Sequence, residues 1–276
     1  MKRVLPADYH MHTHNSGDSK APMEDMIRSA IEKGLSEICF TEHLDMNYPL
    51  LPDLPPDPFM LDVDAYFSEY LLYKEKYQDQ IAIKFGVEIG MQNDCYKENL
   101  AFVKEHDFDF VIASQHLVDK KDPFYPDFWD AGSVSDIFDR FFELTLENLK
   151  KFTDFDVLGH LDYIARYVPK GDTTYSYERF SERIDAILEY LVKNDKGLDF
   201  NSKVLGYSDS LLPNPCPAAL KRYKELGGKL ITFGSDAHRA EAVACEFEKA
   251  VSIAKECGFT EYYTFKKRVP TAHKLL

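Results

Sequence analysis

Seven short apolar runs alternate along this chain with stretches of helical periodicity, and six of the seven close on a histidine or a carboxylate. The runs are Val4 to His10, Glu37 to His43, Ile81 to Glu88, Phe108 to His116, Val157 to His160, Gly197 to Asn201 and Lys229 to His238. Between them lie apolar residues spaced three and four apart, as in Met23, Met26, Ile27, Ala30 and Ile31, bounded by Pro22 and Gly34. That spacing predicts helices over 22–34, 62–78, 94–105, 133–151, 176–194, 215–226 and 240–257. Strands alternating with helices imply parallel strands joined by right-handed crossovers. Near-continuous apolar strands fit a sheet covered by helices. Polar residues at almost every strand end favour a closed barrel over an open sheet, because a barrel brings those ends to one mouth.

The 276 residues suffice for one large barrel, and no internal boundary is evident, so residues 1–276 are read as a single domain. Met1 to Pro6 lacks the apolar core of a signal peptide and no apolar run approaches spanning length, so a cytoplasmic protein without a membrane partner is expected. Cys39, Cys95, Cys216, Cys245 and Cys257 are scattered and odd in number, which argues against a disulfide framework and a thiolate zinc knuckle. A formal charge of −14 without a basic stripe argues against nucleic acid. The same charge repels a phosphorylated small molecule unless the site itself is strongly cationic, and metal ions would make it so.

The opening motif, Asp8-Tyr9-His10-Met11-His12-Thr13, looks like one wall of such a site. Side chains two apart on a strand point the same way, so His10 and His12 would project together. Asp18 follows the turn-forming Asn15-Ser16-Gly17 and can fold back over the same opening. The other strand tips add His43, Glu88, His116, His160, Asp236 and His238. Six of the nine histidines stand at these tips, and burying so many polar groups without partners would be costly. Imidazole with carboxylate and no thiolate suits zinc, manganese or iron. Two loops emerge at the mouth as candidate walls or packing segments: the proline-rich 44–61, with Pro49, Pro52, Pro55, Pro56 and Pro58, and the aromatic 117–130, with Phe124, Tyr125, Phe128 and Trp129.

In order, Asp-x-His-x-His-Thr, Thr41-Glu42-His43, Gly86-Val87-Glu88, Ser114-Gln115-His116, Gly159-His160 and Gly234-Ser235-Asp236-Ala237-His238 resemble the motifs of the polymerase and histidinol phosphatase (PHP) family. Asp-x-His-x-His alone is shared with amidohydrolases, but Glu88 at the third strand favours PHP. Within the family the chain is most similar to the stand-alone histidinol-phosphate phosphatases. It shares their length, the proline-rich second loop, the Lys224-Glu225-Leu226-Gly227-Gly228-Lys229 lead-in and the Tyr263-Thr264-Phe265-Lys266-Lys267-Arg268 tail.

The resemblance implies a distorted (β/α)7 barrel of the TIM type and a trinuclear site for divalent zinc, manganese or iron. One ion would take His10, His12, Glu88 and Asp236; a second would share Glu88 and add His116 and His160; the third would take Asp18, His43 and His238. His14, His106 and His273 match no ligand position. The expected reaction is hydrolysis of L-histidinol phosphate by attack of a metal-bridging hydroxide on phosphorus, with Glu88 central to catalysis. Three divalent ions on three carboxylates would leave a local charge of about +3, which reverses the repulsion from the global charge.

Arg166, shortly after the fifth strand, corresponds to an arginine that grips phosphate in relatives, a task suited to a bidentate guanidinium. A second arginine expected after the sixth strand is missing from Asn201-Ser202-Lys203-Val204-Leu205-Gly206, and Lys203 is the candidate replacement for binding substrate. Carboxylates near strand tips, Glu42, Asp45 and Asp94, could meet the cationic part of histidinol, and Glu42 and Asp94 are also the candidate general acids. The expected partner is a small phosphate monoester, and the sequence leaves room for a homo-oligomer. The rival readings are a PHP enzyme for phosphotyrosine or nucleotide phosphates, and a non-catalytic metal-binding PHP module.

Overall fold

The computed structural model describes residues 7–51, 54–208 and 211–276. In chain order the elements are α1 (Met23–Glu32), β1 (Glu37–Leu44), α2 (Val63–Tyr77), β2 (Ala82–Gly90), α3 (Tyr96–Glu105), β3 (Phe110–Ser114), α4 (Val134–Lys151), β4 (Val157–Leu158), α5 (Ser181–Lys193), β5 (Gly197–Asn201), α6 (Pro217–Glu225), β6 (Ile231–Gly234), α7 (Phe247–Glu256), β7 (Glu261–Lys266) and β8 (Val269–Lys274). Strands β1 to β6 form one parallel sheet in sequence order, each joined to the next through a helix, as the alternation predicts.

The opening segment closes this sheet. Asp8 bridges Ile38 of β1 on one side and Phe233 of β6 on the other, and Met11 bridges Ala237. The Tyr9 N–H donates to the Phe233 carbonyl and the Cys39 N–H to the Asp8 carbonyl. Of the expected first strand, residues 4–6 lie outside the described residues, and the remainder makes isolated bridges instead of a continuous ladder. Six parallel strands curled around, with residues 8–11 laid across the gap, form the distorted TIM-like barrel that the motif order implies.

Burial follows the alternation of the strands. Ile38 and Phe40 of β1 join the large cluster that packs the helices. Cys39, Phe110, Ile112 and Val157 face inward and form a smaller cluster with Tyr9 and Phe265. The helices bury one face each: in α4, Ile137, Phe138, Phe141, Phe142, Leu144 and Leu149 recur at three and four, and Ser133 caps the first turn by accepting from the Asp136 N–H at 3.1 Å. Two helices start later than their patterns predict. Helix α5 starts at Ser181, and the segment before α7 is a 3-10 turn at Ala240–Ala242 followed by left-handed backbone at Ala244 and Glu246 (φ 50° and 55°).

The sequence reading did not foresee the hairpin β7–β8, which is antiparallel and packs over the N-terminal end of the barrel. The Tyr9 hydroxyl donates to Glu37 Oε1 at 2.5 Å and accepts from the Phe265 N–H at 2.9 Å. Asp109 accepts from the Lys267 N–H, and Asp156 accepts from Arg268 Nε at 2.6 Å. No helix among the described residues is long and apolar enough to cross a membrane.

Candidate metal centre

Strand register assembles the site. Parallel pairing of β1 with β2 sets His43 opposite Glu88, and pairing of β5 with β6 sets Asn201 opposite Gly234, the residue before Ser235 and Asp236. Glu88, fully buried, stands at the centre. Its Oε2 lies 3.1 Å from His10 Nε2, 3.4 Å from His12 Nε2 and 3.0 Å from His43 Nδ1. Its Oε1 lies 2.9 Å from His160 Nε2 and 3.2 Å from His116 Nε2, and also accepts from Ser114 Oγ at 2.6 Å. Asp236 Oδ1 is 3.7 Å from His12 Nε2, while Asp18 Oδ2 is 2.9 Å from His238 Nε2 and 3.6 Å from His43 Nε2. All nine expected ligands therefore converge, although their positions span more than two hundred residues.

Outer hydrogen bonds fix which nitrogen His10, His12 and His116 turn inward. His10 Nδ1 donates to Asp199 Oδ2 at 2.8 Å and His116 Nδ1 to Asp45 Oδ1 at 2.8 Å, which turns both Nε2 atoms toward Glu88. The Ser16 hydroxyl donates to Glu42 Oε2 and so accepts from His12 Nδ1 at 3.1 Å, giving His12 the same tautomer. Glycine makes room for two of these partners. A Cβ at Gly90 would lie 1.9 Å from Asp45 Oδ1, and one at Gly234 would lie 2.4 Å from the His10 Cβ and 2.5 Å from Asp199 Oδ1. Asp236 itself sits in left-handed backbone, φ 51°, at the end of β6.

Among the described residues, His10 Nε2, His12 Nε2, His43 Nδ1, Glu88 Oε2 and His238 Nε2 are buried without a hydrogen-bond partner. They stand close to opposite charges without meeting hydrogen-bond geometry. Imidazole nitrogens and carboxylate oxygens gathered 3 to 4 Å apart are the arrangement a divalent cation would satisfy. Four triads, including His10–His12–Glu88 and His43–Glu88–His116, keep one ligand atom from each residue within 4.8 Å of the others.

The electrostatics agree with this. Burial works against the Glu88 carboxylate, but the imidazolium charges of His10, His43 and His116 outweigh it and hold its pKa well below the usual range. Burial likewise opposes charge on His10, yet Glu88, Asp199 and Asp236 raise it to about 10. Desolvation dominates at His160, which falls to about 3. The carboxylate field that draws a proton onto His10 would equally draw a divalent cation, and the two compete for Nε2.

A cavity opens beside this cluster, walled by Arg166, Lys203, Asp122, Tyr48, Phe59 and Tyr163 among others. Arg166 donates Nη1 to Asp236 Oδ2 at 2.8 Å and Nε to Asn214 Oδ1 at 2.8 Å, while its buried Nη2 has no partner among the described residues. Lys203 Nζ donates to Asp236 Oδ1 at 2.9 Å. The proline-rich and aromatic loops do wall the mouth, and the Tyr48 hydroxyl donates to Asp122 where they meet. Pro52 of that loop lies outside the described residues.

Two expected residues are not in the cavity. Glu42 alternates with His43 along β1, points away from it and is fully buried, accepting from the Thr13 N–H, Thr13 Oγ1 and Ser16 Oγ. Asp94 is exposed and paired with Lys120. Neither is among the residues that line the cavity, where the expected substrate-binding and general-acid roles would place them. His14, His106 and His273 lie apart: His14 by Glu69, His106 against Phe102, and His273 bonded to Thr264. The sequence reading overlooked Asp199, Ser114, Asn214, Tyr48 and Asp122. Of these only Asp199, an acid within an apolar strand, carried a visible signal, because a buried charge requires a partner.

A barrel whose strand ends gather histidines and acids around one glutamate defines a class, and the PHP domain profile matches residues 8–203. The chain belongs to the PHP domain family. It is similar to "Probable histidinol-phosphatase" of Clostridium acetobutylicum, 32% identical with 95% of this chain and 97% of the relative covered. It is similar also to "Histidinol-phosphatase" of Lactococcus lactis, 33% identical over 94% of this chain and 93% of the relative. A solved histidinol phosphate phosphatase from Lactococcus lactis, in complex with zinc, L-histidinol and phosphate, superposes with a TM-score of 0.88 at 31% identity, covering 97% of this chain and 99% of that one.

Proposed function

We propose that this protein is a metal-dependent phosphomonoesterase that hydrolyses L-histidinol phosphate to L-histidinol and inorganic phosphate. The observation that carries the proposal is the convergence of buried, unpartnered imidazole and carboxylate atoms on Glu88 beside a cavity lined by Arg166 and Lys203. Relatives named histidinol-phosphatase, and a similar structure holding zinc, histidinol and phosphate, support the choice of substrate.

Three divalent transition-metal ions are proposed: one on His10, His12, Glu88 and Asp236, one on Glu88, His116 and His160, and one on Asp18, His43 and His238. Held there, such ions would supply a nucleophile at neutral pH and polarise the phosphoryl oxygens. The protein's own groups do the rest. Arg166, a lining residue of the cavity whose guanidinium is held by Asp236 and Asn214, is the group that would bind a phosphoryl oxygen. Lys203 adds a second positive charge on the same wall, as a point charge where a guanidinium would fork. Asp45 and Asp199 keep His116 and His10 in the ligating tautomer while charge develops on phosphate. We read the protein as cytoplasmic and single-domain, acting on a small molecule and not on nucleic acid or membrane.

The test is inorganic phosphate release by metal-reconstituted protein from histidinol phosphate, phosphotyrosine and a nucleoside monophosphate. Histidinol phosphate should give the highest kcat/KM. A clear preference for either rival would replace the substrate, and no turnover with metals bound would favour the non-catalytic module.

A further inference from the structure

The cavity lining combines the expected metal ligands, Arg166 and Lys203 with the aromatic residues Tyr48, Phe59 and Tyr163, the last with its ring 5.3 Å from the Arg166 guanidinium. Among the described residues it includes one carboxylate, Asp122, that makes no ion pair with an imidazole or a cation. Asp18, Asp45 and Asp236 are each engaged with a histidine of the cluster. Among the described residues Asp122 is engaged by neutral donors: the Tyr48 hydroxyl on Oδ2 and the Phe124 N–H on Oδ1 at 2.8 Å. An ionised carboxylate offers about four acceptor positions, so about two remain open toward the cavity.

We infer that Asp122, held in place by Tyr48, is the specificity-determining carboxylate that receives a positively charged group on the alcohol portion of the phosphate ester. The inference rests on the phosphatase reading above and deepens it. A substrate with phosphate at one end and a cation at the other would align with its phosphate toward Arg166 and Lys203 and its cation toward Asp122. Tyr48, bonded to Asp122, and Phe59, with ring centroids 4.7 Å apart, provide aromatic surface beside that position, which favours a cation over a neutral group of equal size. The Tyr48–Asp122 bond also ties the proline-rich loop to the aromatic loop, so the carboxylate sits where both loops close on the leaving group. Glu42 and Asp94 cannot serve this purpose, the first being buried away from the cavity and the second paired at the surface.

The experiment measures the ratio of kcat/KM for L-histidinol phosphate to that for glycerol phosphate, whose alcohol carries no charge, in zinc-loaded wild type and Asp122→Asn. Loss of a charge-assisted contact should lower the ratio about 30-fold, mainly through KM for histidinol phosphate. Tyr48→Phe, which frees Asp122 from its anchor, should lower it in the same direction by a smaller factor, and its ratio decides the matter should Asp122→Asn fail to fold. A ratio within about threefold of wild type overturns the inference, since that is well under the effect of a lost charged contact. Should the wild type hydrolyse glycerol phosphate but not histidinol phosphate, the proposed substrate fails by itself. The same ratio taken with phosphoethanolamine then decides on Asp122, and an unmoved ratio rejects it.

Discussion

The two ends of the barrel bury polar groups at similar depth and use them in opposite ways. At the N-terminal end every group described above has its partner: Tyr9 bonds Glu37 and Phe265, Asp109 accepts from Phe85 and Lys267, and Asp156 accepts from Val111 and Arg268. At the C-terminal end, imidazole nitrogens and a glutamate oxygen among the described residues crowd together without meeting hydrogen-bond geometry. A fold that satisfies buried polarity at one end and leaves it open at the other has reserved the open end for a charge brought from outside. Polar burial therefore separates support from chemistry only when partners are counted atom by atom.

The sharpest way to break this contrast is at the centre of the open end. Glu88→Ala should cost more than about 1,000-fold in kcat/KM for histidinol phosphate, beyond the 10–100-fold typical of losing an outer partner, and should lower metal content measured by elemental analysis. Arg166→Ala should cost about 100-fold in kcat/KM, because it removes a prepositioned donor for the phosphoryl group, while metal content stays near wild type. Asp199→Asn leaves every ligand in place but weakens the anchor of His10, and should weaken metal affinity by about 10-fold in a competition titration with a chromogenic chelator. At the closed end the sign of the experiment changes. Tyr9→Phe should lower unfolding stability by about 1–2 kcal/mol in a urea titration, from loss of its hydroxyl's bonds to Glu37 and Phe265, and leave kcat almost untouched.

Much of the open end was legible in the sequence because strand tips are punctuated by residues that an apolar run does not need. His43, Glu88, His116 and His160 each end a run, and parallel topology does the rest. Period-two alternation would also have excluded Glu42, since it must face away from its neighbour His43. What escaped the reading lacks that punctuation. Asp122 and Tyr48 lie in irregular loops whose meeting depends on tertiary packing, and Asn214 reaches Arg166 from a loop 48 residues away in sequence. The β7–β8 hairpin was missed for a related reason: β8 is largely exposed and includes Pro270, so it has neither the alternation nor the apolar run that signals a strand. The short β4 and the bridged residues 8–11 mark the places where barrel closure is supplied by neighbours and not by local propensity.

The most direct test of the account is to titrate metal back into chelator-stripped protein while following phosphate release from L-histidinol phosphate. The account predicts that turnover vanishes with the last bound ions and returns in step with their reloading, saturating at about three per chain. Undiminished hydrolysis by protein free of divalent metal would contradict it.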